Sequence, residues 1–255
     1  VEEKAMAAYR ARYEKSHALV IGIDAYDALP PLQTAVHDAQ AVAGALADQL
    51  GFEVALLCDA GATRDAILTH LSETFAATGP DDRVLVYFAG HGLTRRTTTG
   101  DEVGLLAPYG VQPGRYHQAI EMDYLVDRSK FIPAKHILFV LDACFSGLAV
   151  TRGAASGERM LGDLMTRRAV QAVAAGQKDQ EVSDLFGAGG HSIFTGLLLN
   201  RLDQRGGILT GNELGLYLQR QVGMHTRSRQ TPHYGHLLGS QGGDFVFWAE
   251  ETVVE

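Results

Sequence analysis

Four short apolar runs constrain this chain more than anything else in it. They lie at residues 17–24, 52–58, 83–89 and 137–141. Each is too short for a helix and none alternates with polar residues, so each reads as a strand buried on both faces. Helical periodicity fills the gaps. Over residues 32–50, Val36, Ala39, Val42, Ala43 and Leu46 share one face; Pro30-Pro31 bars an earlier start, and Gly51 is a stop signal. Thr63 is placed to N-cap a helix carrying Ile67, Leu68, Leu71 and Phe75, and residues 122–131 suit another short helix. Residues 92–122 read as a long, irregular, polar loop. The order β-α-β-α-β-loop-α-β predicts an α/β fold with a central, mostly parallel sheet and helices on both faces.

The rest of the chain is less sharply written. Residues 1–15 suit a helix with Met6, Tyr9 and Tyr13 on one side. Residues 149–168 hold Gly, Ala and Ser with Arg152, Arg159, Arg167 and Arg168, which reads as an exposed connection. A strand is expected at 169–174, a loop at 176–190 and a helix at 192–202. Thr210 and Glu213 form a capping box before a helix over 214–222. A turn at 230–233 and a closing strand at 244–248 complete the prediction.

Composition removes several function classes. At 255 residues and 46% hydrophobic, the chain can bury a sizeable single core. A net charge of −8 with no basic tract argues against a nucleic-acid binder. Two cysteines make no disulfide framework, so Cys58 and Cys144 are expected as thiols in a cytoplasmic setting. No apolar run reaches the ~18 residues of a membrane span, so no membrane partner is expected.

The chemistry lies where two of the apolar runs end. Residues 83–89 break into Gly90-His91-Gly92, and residues 137–141 break into Asp142-Ala143-Cys144-Phe145-Ser146-Gly147. In open α/β sheets ligands bind outside the carboxyl ends of strands. Two neighbouring strands would thus deliver a histidine and a cysteine to one rim, the pairing of a thiol nucleophile with its base. The glycines beside His91 let a substrate backbone approach, and the Gly92 and Cys144 amides are the natural oxyanion donors. A lone histidine or cysteine is more often structural, and Cys58, in Leu57-Cys58-Asp59, has no such surroundings.

Tyr87-Phe88-Ala89-Gly90-His91-Gly92, followed about 50 residues later by Leu141-Asp142-Ala143-Cys144-Phe145-Ser146-Gly147, resembles the clan of caspases, metacaspases and their bacterial relatives. The likeness extends to Val20-Ile21-Gly22-Ile23-Asp24 and Gly190-His191-Ser192-Ile193-Phe194-Thr195-Gly196, and covers residues 17–248. It implies a caspase-like sandwich with a large-subunit-like part at 17–148, the connection at 149–168 and a small-subunit-like part at 169–248. Residues 1–16 would be a lead-in and 249–255 a tail.

The resemblance also implies an activity: a cysteine endopeptidase with His91 and Cys144 as its dyad. Animal caspases have glutamine two residues before the nucleophile; here Asp142 stands there. That matches metacaspases, whose acids select arginine or lysine, and Asp24, Asp142 and Asp179 are the candidates for such a pocket. A carboxylate pair favours the planar fork of a guanidinium. Asp142 has an alternative role, capping the turn after its strand. Self-cleavage at Arg152, Arg159, Arg167 or Arg168 and an ordinary solvated loop are equal readings of the connection. The chemistry needs no cofactor. Metacaspases often use calcium as an activator, for which Asp101, Glu102, Asp123 and Asp127 qualify by charge alone; the metal stays unassigned, and His233 and His236 form no zinc set. The implied partners are a protein substrate with an exposed Arg or Lys and an upstream protease or regulator, in regulatory proteolysis such as bacterial antiphage defence or cell death. The rivals are a catalytically silent interaction module and a peptide ligase or transamidase with the same dyad.

Overall fold

The computed structural model describes residues 13–144, 161–176, 188–203 and 207–248. Its centre is a six-stranded sheet of β1 (Ser16–Gly22), β2 (Glu53–Cys58), β3 (Arg83–Ala89), β7 (His136–Cys144), β8 (Ala169–Gly176) and β10 (His233–His236). The order across it is β10-β8-β7-β3-β1-β2, parallel throughout except for the antiparallel edge strand β10.

Strands β3 and β8 are buried at every position, which is why they lack polar alternation. Successive side chains feed two different cores. Leu19, Ile21, Val84, Val86, Phe88, Ile137 and Phe139 pack on one face against the helices α2 (Arg64–Thr69) and α3 (Met122–Ser129). Ala18, Val20, Leu85, Tyr87, Leu138 and Val140 pack on the other against α1 (Ala35–Gly44), α5 (Ile193–Leu202) and α6 (Gly211–His225). The sheet with helices on both faces is therefore as expected.

Several local readings are corrected. Residues 92–122 are not irregular: β4 (Gly92–Arg96), β5 (Glu102–Leu106) and β6 (Ile120–Glu121) form a small antiparallel sheet. Exposed arginines on β4 and a glycine at φ +93 in the β4–β5 turn hid that pattern. Strand β7 does not stop at residue 141 but runs to Cys144, so Asp142 and Cys144 lie within it. The closing strand, β11 (Val246–Trp248), pairs with a strand the sequence did not announce, β9 (Ile208–Thr210). The turn expected at 230–233 leads straight into β10. Its Gly235 and two histidines have poor strand propensity, but one open edge of β8 recruits them.

The connection at 149–168 is not an open loop at its described end. Residues 161–166 form a short helix, α4 (Leu161–Thr166), with Met165 fully buried. The remainder, 149–160, lies outside the described residues, as do 1–12. Tyr13, expected on a helix, is instead non-helical and stacks on Trp248 with ring centroids 5.2 Å apart. It borders a fully buried arginine, Arg83, which donates to Ser16 Oγ and to the Val246 and Leu50 carbonyls and lies over the Tyr13, Phe52 and Trp248 rings. Arg83 thus ties the last strand to the first half of the chain. Among the described residues, no helix is long and apolar enough to cross a membrane.

Candidate active site

Strands β3 and β7 run in parallel with Ala89 opposite Asp142. The Gly90 N–H continues the ladder by donating to the Asp142 carbonyl at 3.4 Å. His91 follows two residues beyond the end of β3, and Cys144 two residues beyond Asp142 at the end of β7. Cys144 is half-buried and ends β7 opposite Gly176, after a register shift between Leu141 and Cys144. The sheet therefore carries both residues to one rim.

His91 is held from three sides. Its Nε2 lies 2.8 Å from the Pro30 carbonyl, so in the neutral ring Nε2 bears the proton and Nδ1 is the basic nitrogen. Its backbone N–H donates to the Tyr26 hydroxyl at 3.0 Å, and the Tyr26 ring lies beside the imidazole with centroids 4.8 Å apart. The His91 carbonyl accepts from the Ala107 N–H at 3.0 Å. That last bond makes Gly92 and Leu106 a non-hydrogen-bonded pair of the β4–β5 ladder. The Gly92 N–H is thus not spent on β5 and is available to an incoming oxygen.

Asp142 is buried, and its carboxylate faces the N-terminus of α5. Its Oδ2 accepts from Ser192 Oγ at 2.5 Å and from Thr195 Oγ1 at 2.7 Å. Ser192 N-caps α5, accepting from the Thr195 N–H, while Thr195 in turn takes the Tyr87 hydroxyl at 2.5 Å. The positive end of the helix and two hydroxyl donors together support the charge. Burial, with Asp142 and Asp38 nearby, pushes the Tyr87 phenol far above its usual range, so it stays neutral.

A second buried acid, one that sequence reasoning missed, is linked to Asp142 through Ser192. Asp38 sits on the inner face of α1, 1% exposed, and accepts from His191 Nδ1 at 2.7 Å and from the Ser192 N–H at 3.1 Å. Burial raises its pKa, and the bonds from His191 and Ser192 pull against that rise. Ser192 thereby bridges the two acids, its N–H on Asp38 and its hydroxyl on Asp142. The signal was available: Asp38 interrupts the apolar face made by Ala35, Ala39 and Val42. A carboxylate buried on a helix's core side requires partners. His191 also stacks on His37, centroids 4.4 Å apart and planes 10° from parallel.

Asp24, expected in the pocket, does something else. Its Oδ1 accepts from the Ala35 N–H at 2.8 Å and its Oδ2 from the Val36 N–H at 3.1 Å. Both oxygens cap the first turn of α1, whose amides have no partner within the helix. Asp179, Arg152 and Arg159 lie outside the described residues. Arg168 is not an exposed cleavage point: its guanidinium donates to the carbonyls of Ser129, Ile132 and Ala134 at the end of α3. Arg167 is exposed, but its carbonyl accepts from His136 Nε2 at 3.0 Å, which pins the chain just before β8. The carboxylates considered for calcium do not converge. Asp101 bonds Thr99 and Asp127 pairs with Lys130, and among the described residues no group of three or more His, Cys, Asp or Glu is gathered for a metal.

Comparison with known proteins bears on the fold and the family. A crystal structure of a protein from Geobacter sulfurreducens superposes with a TM-score of 0.64 at 19% identity, over 87% of this chain and 93% of that one. At that identity the likeness shows the fold alone. A search of curated proteins finds no match. The caspase-domain family profile, in contrast, matches residues 15–237, which spans the whole six-stranded sheet and the rim that carries His91 and Cys144. The chain belongs to the caspase-domain family of peptidases.

Proposed function

We propose that the protein is a cysteine endopeptidase that cleaves protein substrates after arginine and, less well, after lysine. His91 Nδ1 takes the thiol proton, and the Cys144 thiolate attacks the scissile carbonyl carbon. The oxyanion is received by the Gly92 and Cys144 amides. The tetrahedral adduct collapses, the C–N bond breaks, and the imidazolium gives its proton to the leaving amine. Water, deprotonated by His91, then releases the acid and restores the thiol.

One observation carries the reading. In a caspase-domain chain, a histidine just past β3 and a cysteine ending the neighbouring parallel strand β7 share one end of the sheet, and two carboxylates, Asp38 and Asp142, are buried together through Ser192. Of the three acids expected in the pocket, Asp142 is kept, Asp38 takes the place of Asp24, and Asp179 lies outside the described residues. Two buried carboxylates joined through one serine favour a guanidinium that can bridge them, and they reject an acidic side chain. Lysine, a point charge, engages fewer oxygens. Self-cleavage at Arg152 or Arg159 belongs to the same chemistry.

The test is hydrolysis of matched fluorogenic peptides ending in Arg, Lys or Asp, with Cys144→Ala and His91→Ala alongside. Turnover in the order Arg, Lys, Asp, abolished in both variants, is the expected result. Turnover of the aspartyl peptide equal to that of the arginyl peptide rejects the acidic pocket. Turnover that survives Cys144→Ala rejects the nucleophile.

A further inference from the structure

The residues between β1 and α1, 23–34, carry nothing that a peptidase reaction uses directly, yet they are pinned at both ends and closed around His91. We propose that Tyr26 is a positioning residue for His91, set in a clasp whose anchors are Asp59 and Asp24. The inference rests on the reading of His91 as the base.

The clasp is built from the following contacts. Asp59 Oδ1 accepts from the Asp24 N–H at 2.8 Å and the Ala25 N–H at 2.9 Å, fixing the start of the segment. To do so Asp59 adopts φ +42, in the left-handed region that costs a non-glycine residue free energy. The Asp24 carboxylate fixes the other end through the first turn of α1. The Asp24 carbonyl draws the segment together, accepting from the Tyr26 N–H at 3.1 Å and the Leu32 N–H at 3.0 Å.

Within that frame Tyr26 is 7% exposed, and both hydrogen-bonding roles of its hydroxyl are used at the site. It accepts from the His91 N–H and donates to the Ala107 carbonyl at 2.9 Å. His91 and Ala107 are therefore joined twice, once directly and once through Tyr26. The approach depends on Gly90: a Cβ there would lie 2.6 Å from the Tyr26 hydroxyl oxygen. The same segment delivers the Pro30 carbonyl to His91 Nε2. Backbone, ring and one ring nitrogen of His91 are thus all contacted by residues 26–30, which fixes where Nδ1 points.

The test uses the full chain with Tyr26→Phe, Asp59→Asn and Asp59→Gly. The readouts are kcat and KM on an arginyl peptide, the pH dependence of Cys144 alkylation by iodoacetamide, and the thermal midpoint. Misplacing a catalytic group by a fraction of an ångström to 1 Å costs roughly tenfold to a hundredfold. Tyr26→Phe is expected to lower kcat by roughly that factor with KM within about twofold, and to move the alkylation midpoint toward that of an ordinary thiol. Asp59→Gly, which accepts the backbone angle but removes the acceptor, is expected to do the same. Asp59→Asn, which keeps an acceptor oxygen, is expected to retain most of the activity. Wild-type kcat and alkylation in Tyr26→Phe, or a change in KM alone, overturns the proposal. If Tyr26→Phe fails to fold, Asp59→Gly decides by the same criteria. An unchanged alkylation profile in His91→Ala would instead reject His91 as the base, and with it the reading on which the clasp depends.

Discussion

Replacing Thr195 by valine is a near-isosteric change that removes one hydroxyl from the most heavily connected point of the site. Thr195 is fully buried; its Oγ1 donates to Asp142 Oδ2 at 2.7 Å and takes the Tyr87 hydroxyl at 2.5 Å. A hydrogen bond to a charged group contributes about 1.5–3 kcal/mol, and stranding a buried donor such as the Tyr87 hydroxyl costs about 1–3 kcal/mol. The two are not additive, because Asp142 keeps Ser192 Oγ and can shift toward it. The expected loss is about 2–4 kcal/mol, or roughly 5–12 °C in Tm for a chain of this size. Denaturant unfolding measures the first part. The second part is functional: an Asp142 carboxylate held by one hydroxyl raises KM for arginyl peptides and leaves Cys144 alkylation unchanged. Thr195→Ser, which keeps the hydroxyl, restores KM. A Thr195→Val protein within about 0.5 kcal/mol of wild type and with unchanged KM would refute the view that this network carries the carboxylate.

Three further outcomes are expected. Asp38→Asn should raise KM for arginyl peptides severalfold, whereas Asp24→Asn should cost about 1 kcal/mol as a weakened helix cap and leave the Arg-to-Lys ratio unchanged; peptide kinetics and denaturant melts separate the two. Burial holds His136 down to about 3, and the neutral ring accepts from the Tyr13 hydroxyl while donating to the Arg167 carbonyl. Its contribution to stability is therefore full above the ordinary histidine value of about 6.5 and is lost as pH falls toward 3, because the unfolded chain takes up the proton first; His136→Gln should flatten that slope in unfolding at a series of pH values. Gly22→Ala would set a Cβ 2.5 Å from the Ala35 carbonyl oxygen and 2.6 Å from the Ala39 Cβ, so α1 must move and carry Asp38 with it. A loss of about 1–3 kcal/mol together with a raised KM is expected, and unchanged kinetics would show that α1 does not set the acid.

The parts of the structure most readable in the sequence are those whose physics is local. Fully apolar runs announce strands covered on both faces, and Thr63 and Thr210 cap helices as their spacing requires. The histidine and cysteine stand out as candidates because each comes within three residues of the end of such a run. What was hidden depends on partners distant in the chain. Asp24 and Asp142 are both acids at strand ends, but only the fold shows that α1 consumes Asp24 while α5 presents Ser192 and Thr195 to Asp142. Asp38 was hidden for the same reason, since its partners lie more than 150 residues away in His191 and Ser192. Strand β10 exists because β8 offers an open edge, not because His233-Tyr234-Gly235-His236 prefers an extended form.

The most direct test of the site is covalent labelling with an arginyl chloromethyl ketone, mapped by peptide mass spectrometry. Cys58 is the internal control, because burial and the nearby Asp59 and Asp24 push its thiol up, away from the reactive thiolate. The expected result is one label per chain, on Cys144, lost in His91→Ala and far slower with the aspartyl analogue. Equal labelling of Cys58 and Cys144, or labelling of Cys144 that is indifferent to His91 and to the charge of the reagent, would contradict the assignment.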